Sequence, residues 1–263
     1  MILDRFRLTD QVAIVTGAGK CIGRGIALAF AEAGAHVVCA ARTQADIDAT
    51  AAAVRARGRR ALAVRTDVMQ TADLEALVGA TLAEFGRIDV LVNNAGGTMP
   101  CAALDTTEEF FETALRFNVT SAFLLSKLVV PKMVETAGTG AIVNISSRAS
   151  DMVMPAFVAY AAGKAALNMV TRSLACEVAP RVRVNAISVG GVATDALAVV
   201  LTDDGLRAQF NANTPMGRPG TVEDIAACAL WLVSPAGGWV TGKVFQVDGG
   251  TESPAITLPV SRL

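Results

Sequence analysis

Tyr160 and Lys164 stand four residues apart in the run SRASDMVMPAFVAYAAGK, which spans 147–164. On a helix, side chains at i and i+4 share a face, so this spacing sets an ammonium beside a phenol. A phenol ordinarily titrates near pH ~10, too high for easy proton exchange at neutral pH. A neighbouring cation favours the phenolate and lowers that value. Upstream lies Ser147, at the end of the apolar run AIVNISS, where a hydroxyl can hydrogen-bond a reacting carbonyl. Together the three suit proton transfer at a carbonyl oxygen. Taken alone, the pair also fits the start of an ordinary amphipathic helix.

The elements that must position these groups follow from hydrophobic periodicity. QVAIVT (11–16) is an apolar, β-branched strand ending in Gly17, and IGRGIALAFAEAG is a helix with Gly34 as its C-cap. HVVCAA (36–41) is a strand, ADIDATAAAVRARG a helix, ALAVRTD (61–67) a strand, and 71–85 a helix ended by Gly86. IDVLVNNAGG (88–97) is a strand that runs into an Asn/Gly turn. Residues 107–136 read as one long helix with Pro131 near its end. Then come the strand AIVNISS, a helix over 156–178 and the strand RVRVNAIS (181–188). The 221–234 helix opens on a capping signal, Thr221 followed by Asp224, and GKVFQVDGG is a final strand. Residues 194–213 read as a mobile, partly helical insertion. The tail TESPAITLPVSRL, with two prolines, reads as a wrap around an edge or a neighbour. Strict alternation predicts an α/β fold: a Rossmann-type, doubly wound parallel sheet with helices on both faces and right-handed crossovers. With no linker or repeat, 1–263 is one domain.

Composition narrows the function. Lys and Arg number 23 against 24 Asp and Glu, which leaves no field for nucleic acid and no basic membrane face. The five cysteines, Cys21, Cys39, Cys101, Cys176 and Cys228, are scattered without a C-x-x-C, which predicts reduced thiols and a cytoplasmic setting. The N-terminus is charged and lacks a signal-peptide core, and no uninterrupted apolar run reaches the ~18 residues of a membrane span. His36 is the only histidine, so histidine triads and multi-histidine metal sites are excluded. His36 reads as the opening of a strand, and no metal is expected.

TGAGKCIGRG (16–25) falls between the first strand and the first helix. There a Gly-rich turn lets a diphosphate approach backbone N–H groups at a helix N-terminus, which predicts a dinucleotide site lined by Gly17, Lys20, Cys21, Ile22 and Gly23. The second strand ends in Ala41-Arg42, where an acidic residue would bind the adenine ribose hydroxyls. Arg42 and Lys20 can instead converge on a 2′-phosphate, which favours NADP(H) over NAD(H). Asp67 and Val68 would meet the adenine edge. Asn94, Ala95 and Gly96, in N-N-A-G, would pack under the cofactor or hold the mouth of the sheet. All of these lie at carboxyl ends of strands, as open α/β sheets require.

The combination of T-G-x-x-x-x-x-G, N-N-A-G and Ser147, Tyr160 and Lys164 at this spacing resembles the short-chain dehydrogenases/reductases over nearly the full chain. Within them it is most similar to bacterial hydroxysteroid dehydrogenases and beta-ketoacyl carrier-protein reductases. The resemblance implies seven parallel strands in the order 3-2-1-4-5-6-7. It implies that Tyr160 is the acid/base, that Lys164 lowers its pKa and grips the nicotinamide ribose, and that Ser147 polarises the substrate carbonyl. Asn118, in FNVTSAF, matches a fourth catalytic position that anchors a proton-relay water. Thr194 and the backbone of Val192 match the carboxamide contacts. A homotetramer or homodimer is implied as well.

Two departures stand out. Cys21 replaces the middle glycine of the phosphate turn, where a Cβ crowds the backbone unless φ is negative. Val189-Gly190 replaces a Pro-Gly after the sixth strand, which frees the substrate-side loop. A substrate wall built from Met99-Pro100, Met152 to Phe157 and the 194–213 insertion is mostly apolar and suits an apolar ketone or alcohol, steroid-like or acyl-chain-like. Three alternatives stay open. One is a non-turnover dinucleotide sensor or scaffold, one a carrier-protein reductase, and one epimerisation or dehydration with the cofactor retained.

Overall fold

β-Branched apolar runs become strands here because both faces of the sheet are covered. The computed structural model describes residues 1–257, apart from the side chain of Val199. In chain order its elements are β1 (Val12–Thr16), α1 (Cys21–Glu32), β2 (His36–Ala41), α2 (Gln44–Arg55), β3 (Ala61–Arg65), α3 (Thr71–Phe85) and β4 (Val90–Asn93). Next come α4 (Glu108–Leu115), α5 (Ser121–Ala137), β5 (Gly140–Ser147), α6 (Val158–Val178) and β6 (Val182–Val189). α7 (Ala198–Thr202), α8 (Asp204–Ala212), α9 (Val222–Val233) and β7 (Val244–Val247) complete the chain. The seven strands form one sheet in the order β3-β2-β1-β4-β5-β6-β7, and every neighbouring pair is parallel.

Successive residues of a strand point to opposite faces. Along β1, Ala13 and Val15 enter a core shared with Ile26 and Phe30 of α1, Ile47 of α2, and Ile225 and Leu232 of α9. Val12 and Ile14 enter the opposite core, with Leu74 and Leu77 of α3 and Leu125, Val129 and Met133 of α5. Side chains such as Phe30, Ile26 and Leu74 are fully enclosed, each stabilising the fold by roughly 1.5–3 kcal/mol relative to exposure. This two-sided burial is why the strands read as unbroken apolar runs.

Helix ends follow their signals. Gly86 and Gly138 adopt left-handed conformations, φ 73° and 77°, that stop α3 and α5. Thr221 Oγ1 accepts from the Asp224 N–H at 3.2 Å, and Asp224 Oδ2 accepts from the Thr221 N–H at 2.8 Å. Hydrogen bonds from Arg218 and the Thr221 backbone hold the Asp224 carboxyl down at about 2. His36 opens β2 as expected: its Nδ1 accepts from the Arg60 N–H at 3.1 Å, and its ring stacks on Phe85.

Three stretches differ from the sequence reading. The 107–136 helix carries a π turn at Arg116–Thr120 that joins α4 to α5, and Pro131 lies inside α5 rather than at its end. The continuous helix Glu108–Ala137 has 30 residues, and its most apolar 18-residue stretch has a mean hydropathy of 1.2, long and apolar enough by composition to cross a membrane. Its apolar stripe, Leu125, Val129 and Met133, is buried on the sheet. Residues 194–213 are helical over most of their length, in α7 and α8 after a turn at Asp195–Leu197. The tail docks on its own chain: Asn213 Nδ2 donates to the carbonyl of Ala255 at 2.9 Å, and Ala255 is buried. Pro259 and the rest of 258–263 lie outside the described residues.

Candidate active site

A wholly parallel sheet places every strand's carboxyl end on one edge. The chain leaves β1 towards β2 and β3 and returns on the other side at β4, so the turn after β1 lies where the strand order reverses, the usual ligand crevice. Thr16 organises that turn. Its Oγ1 donates to Val92 O at 3.2 Å and accepts from the N–H groups of Asn94 (3.0 Å) and Ala95 (3.1 Å). Asn94 Nδ2 donates to Thr16 O at 2.9 Å and to Gly17 O at 3.3 Å. Of its two sequence readings, Asn94 thus takes the one that holds the mouth of the sheet. A Cβ on Gly17 would lie 2.6 Å from Asn94 Nδ2, and one on Gly23 would lie 2.2 Å from Gly17 O. These two glycines keep the backbone bare at the N-terminus of α1, which fits a dinucleotide diphosphate.

Cys21 adopts φ +47°, the left-handed region. The condition for an uncrowded side chain, a negative φ, is not met. Lys20 Nζ lies 3.5 Å from Asp46 Oδ2, and Asp46 is packed against the turn, since a Cβ on Gly19 would lie 2.8 Å from Asp46 Cβ. Arg42, at the end of β2, is exposed and makes no ion pair among the described residues. Ile22 packs against the first core. Past β3, Asp67 Oδ1 accepts from the Met69 N–H at 3.0 Å, and Val68 is buried. Past β6, Val192 is buried and bridges Gly220, and Thr194 Oγ1 donates to Val192 O at 3.3 Å. Val189 stays in the ladder as the last residue of β6, in register with Ser147 and Val247. Strand pairing therefore orders the position where the expected proline is absent.

Ser147, Tyr160, Lys164 and Asn118 come together beside this turn. Ser147 ends β5, and its Oγ accepts from the Ala149 N–H at 3.2 Å. Tyr160 stands in the first turn of α6. Burial raises the Tyr160 phenol above its ordinary value, and the nearby Ser147 hydroxyl offsets part of that rise. Lys164 is buried, and its Nζ donates to Ile145 O at 2.8 Å. That nitrogen lies 5.7 Å from the Tyr160 ring centroid. In the protein alone the expected lowering of the Tyr160 pKa by Lys164 does not appear, and desolvation of the phenol sets the direction. Lys164 shows the same desolvation with the opposite sign and is pushed down to about 8.

Asn118 lies in the π turn, and its amide is fully engaged. Oδ1 accepts from the Gly97 N–H at 2.9 Å. Nδ2 donates to Gly97 O (3.1 Å), Thr98 Oγ1 (3.2 Å) and Ala114 O (2.9 Å). A Cβ on Gly96 would lie 2.9 Å from Asn118 Oδ1 and 3.0 Å from Lys164 Nζ. Gly96 therefore lets both groups close on the loop after β4. A Cβ on Gly163 would lie 3.2 Å from Asn118 Cβ, so Gly163 lets α6 approach the π turn. Sequence reasoning passed over Gly163 and the role of Thr16. The Y-x-x-G-K wording of the motif held the only signal for the former.

The family model described as enoyl-(acyl carrier protein) reductase matches residues 17–252. An uncharacterised oxidoreductase of Mycobacterium tuberculosis (strain CDC 1551 / Oshkosh) is 46% identical over 263 residues, 100% of both chains. The 7alpha-hydroxysteroid dehydrogenase of Escherichia coli (strain K12) is 40% identical over 253 residues, 94% of this chain and 96% of that protein. A solved 7 alpha-hydroxysteroid dehydrogenase, complexed with NADH and 7-oxo glycochenodeoxycholic acid, superposes with a TM-score of 0.91 at 37% identity. The superposition covers 95% of this chain and 97% of that one.

Two expected outcomes test this geometry. The Lys164 pKa of about 8 lies below the ordinary 10.5, so the unfolded chain binds that proton more tightly. The resulting penalty on folding is full below pH 8 and fades as pH rises towards 10.5. Lys164→Met should then stabilise the protein by roughly 1–3 kcal/mol at pH 7, with the gain shrinking across that window in chemical denaturation. A gain independent of pH would contradict a buried ammonium. Cys21→Gly should raise the denaturation midpoint by about 1 kcal/mol of stability through release of the left-handed strain. An unchanged midpoint would mean that the turn is relaxed.

Proposed function

The chain belongs to the short-chain dehydrogenase/reductase family, and from that premise we propose an NADP(H)-dependent oxidoreductase that interconverts a carbonyl and a secondary alcohol on an apolar substrate. The observation that carries this reading is the intact set of Ser147, Tyr160 and buried Lys164 at the carboxyl edge, next to the Gly17–Gly23 cradle. The nicotinamide, when bound, supplies or accepts the hydride. Everything else is asked of the chain. Tyr160 is held neutral by burial, the form that can donate a proton to a developing alkoxide. Ser147, at the end of β5, stabilises the charge on that oxygen. Lys164 stays largely protonated at neutral pH and keeps a positive charge beneath the site. Asn118 holds the 96–98 loop that closes over Lys164 and is read as the anchor of the proton relay. Val192 and Thr194 are read as the carboxamide contacts, and Asp67 and Val68 as the adenine edge.

NADP(H) is favoured by Arg42, an exposed guanidinium suited to bidentate phosphate contact. Two observations favour NAD(H) instead: Lys20 is already engaged by Asp46, and the solved relative is described with NADH. Lys20 is exposed and its 3.5 Å pair with Asp46 is weak, so a phosphate dianion can displace it. Exposed Met99, Val153 and Met216 give the mouth an apolar rim, which supports a steroid-like or acyl-chain-like substrate. The relative solved with an oxo-steroid supports the first. Apolar Phe123 and Val134 on α5 and Val158 and Met169 on α6 stand exposed, which supports assembly as a homodimer or homotetramer. The free cysteines are in keeping with a cytoplasmic setting.

The deciding experiment offers NADPH and NADH with a panel of ketones, including a 7-oxo steroid and a 3-oxoacyl thioester. The wild type should oxidise NADPH with an apolar ketone. Tyr160→Phe should lower turnover about a thousandfold with dinucleotide affinity kept. Binding without oxidation of any substrate would favour a sensor, and product formation without net NADPH loss would favour epimerisation or dehydration. Separately, Arg42→Ala should weaken NADPH binding about tenfold and leave NADH binding alone. Equal effects on both would remove the 2′-phosphate assignment.

A further inference from the structure

Arg148 follows Ser147 directly and is buried, 6% exposed. Arginine is almost never enclosed unless paired, and this one is surrounded by acceptors from distant parts of the chain. Nη1 donates to Asp151 Oδ2 at 2.8 Å, and Nη2 donates to Thr251 O at 3.1 Å. Nε lies 2.8 Å from Asp248 Oδ2 as an ion pair without hydrogen-bond alignment, and Glu252 Oε2 lies 3.6 Å from Nη2. Asp151 Oδ2 also accepts from Gln246 Nε2, on β7, at 2.9 Å.

The segment held by this guanidinium holds the substrate side in turn. The Met216 N–H donates to Gly249 O at 3.1 Å, and Asn213 Nδ2 donates to Ala255 O at 2.9 Å, so 248–255 braces the end of α8. Asp248 has little room to shift, because a Cβ on Gly190 would lie 2.6 Å from its Cα. Ser147 belongs to the same unit, since its Oγ caps the turn that Arg148 begins.

We propose that Arg148 is a positioning residue: its guanidinium ties the turn carrying Ser147 and the 152–157 wall to the C-terminal segment, and through that segment to the end of α8. This rests on the oxidoreductase reading of Ser147. A planar fork can serve several acceptors in different directions at once, whereas an ammonium acts as a point charge. Truncating it leaves the Asp248 carboxylate, only 10% exposed, without its cation. Arg148 acts through Ser147 and the wall.

The test compares Arg148→Met and Arg148→Lys with wild type in the full chain. Arg148→Met should raise KM for the ketone about tenfold and lower kcat, with NADPH and NADH affinities at wild-type values. Arg148→Lys should recover part of both. Hydrogen exchange should quicken in 148–157, 213–217 and 248–256 while the sheet stays protected. Unchanged KM with a uniform loss of protection, or exchange unaltered in those three segments, would overturn the proposal. Where Arg148→Met fails to fold, Asp151→Ala removes one half-exposed acceptor. It should loosen the same segments to a smaller degree, and no local loosening would count against the tie. If the wild type turns over no ketone, the oxidoreductase reading falls, and the exchange pattern still decides whether Arg148 braces these segments.

Discussion

A buried ammonium is the constraint around which this structure is arranged. Lys164 is enclosed, with desolvation acting against its charge, and its hydrogen-bond acceptor is the carbonyl of Ile145 on β5. Such a group persists only where the surroundings fix it in place. α6 supplies that fixity through a polar contact two turns further on, on the same face. Asn144 Nδ2 donates to Thr171 Oγ1 at 2.8 Å, and Asn93 Nδ2 donates to Asn144 Oδ1 at 2.9 Å and to Ser126 Oγ at 3.1 Å. This ladder runs from α6 through β5 and β4 to α5 in an otherwise apolar interior. Sliding α6 along the sheet would strand buried donors and acceptors, which costs more than any one apolar contact. The ladder therefore sets the height at which Tyr160 and Lys164 meet the carboxyl edge.

The nucleotide side follows a different logic, one of close approach. Thr16 and Asn94 draw the end of β1 and the end of β4 together so tightly that Gly17 and Gly23 have no space for a Cβ. Gly96 is crowded from the other direction by Asn118 and Lys164. The same loop, 94–97, thus touches both halves of the site, and its bare backbone is what the two share. Cys21 is the exception in this setting: it bears a side chain at φ +47°, where glycine would be unstrained. The strain is tolerated because the helix it begins is anchored through Ile26 and Phe30 in the core.

Much of this was legible in the residues. Alternating apolar runs and amphipathic segments locate all seven strands, since two-sided burial leaves a run that periodicity can detect. The Tyr160 and Lys164 pair was legible by spacing, because α6 is a regular helix through both positions, and Ser147 as the end of the apolar run that forms β5. What escaped depends on packing between distant segments. RFNVT (116–120) has nothing that distinguishes a π turn from an α turn; Asn118 tied to Gly97 and packed under Gly163 accompanies the extra residue. The direction of the Tyr160 shift turned on burial, which no spacing reveals. Arg148 carries no signal in the sequence, since its partners lie at 151, 248, 251 and 252.

These differences mark a physical division of the molecule. The half that carries Thr16, Asn94 and Lys164 is determined by tight backbone approach and a buried polar ladder, which allow one geometry. The other half, 148–157, 194–217 and 248–257, is joined to the sheet by fewer anchors: the Val192–Gly220 bridge, Phe210 under Gly191, and the Arg148 cluster. Val189 keeps β6 paired up to the branch point, so freedom begins only beyond Gly190. A chain built this way can vary Met152, Met154 and Met216 without disturbing Ser147, Tyr160 and Lys164. The geometry around Ser147 and Tyr160 is set by β5 and α6, whereas the shape of what surrounds them is set by segments that meet at the Arg148 guanidinium beside Ser147.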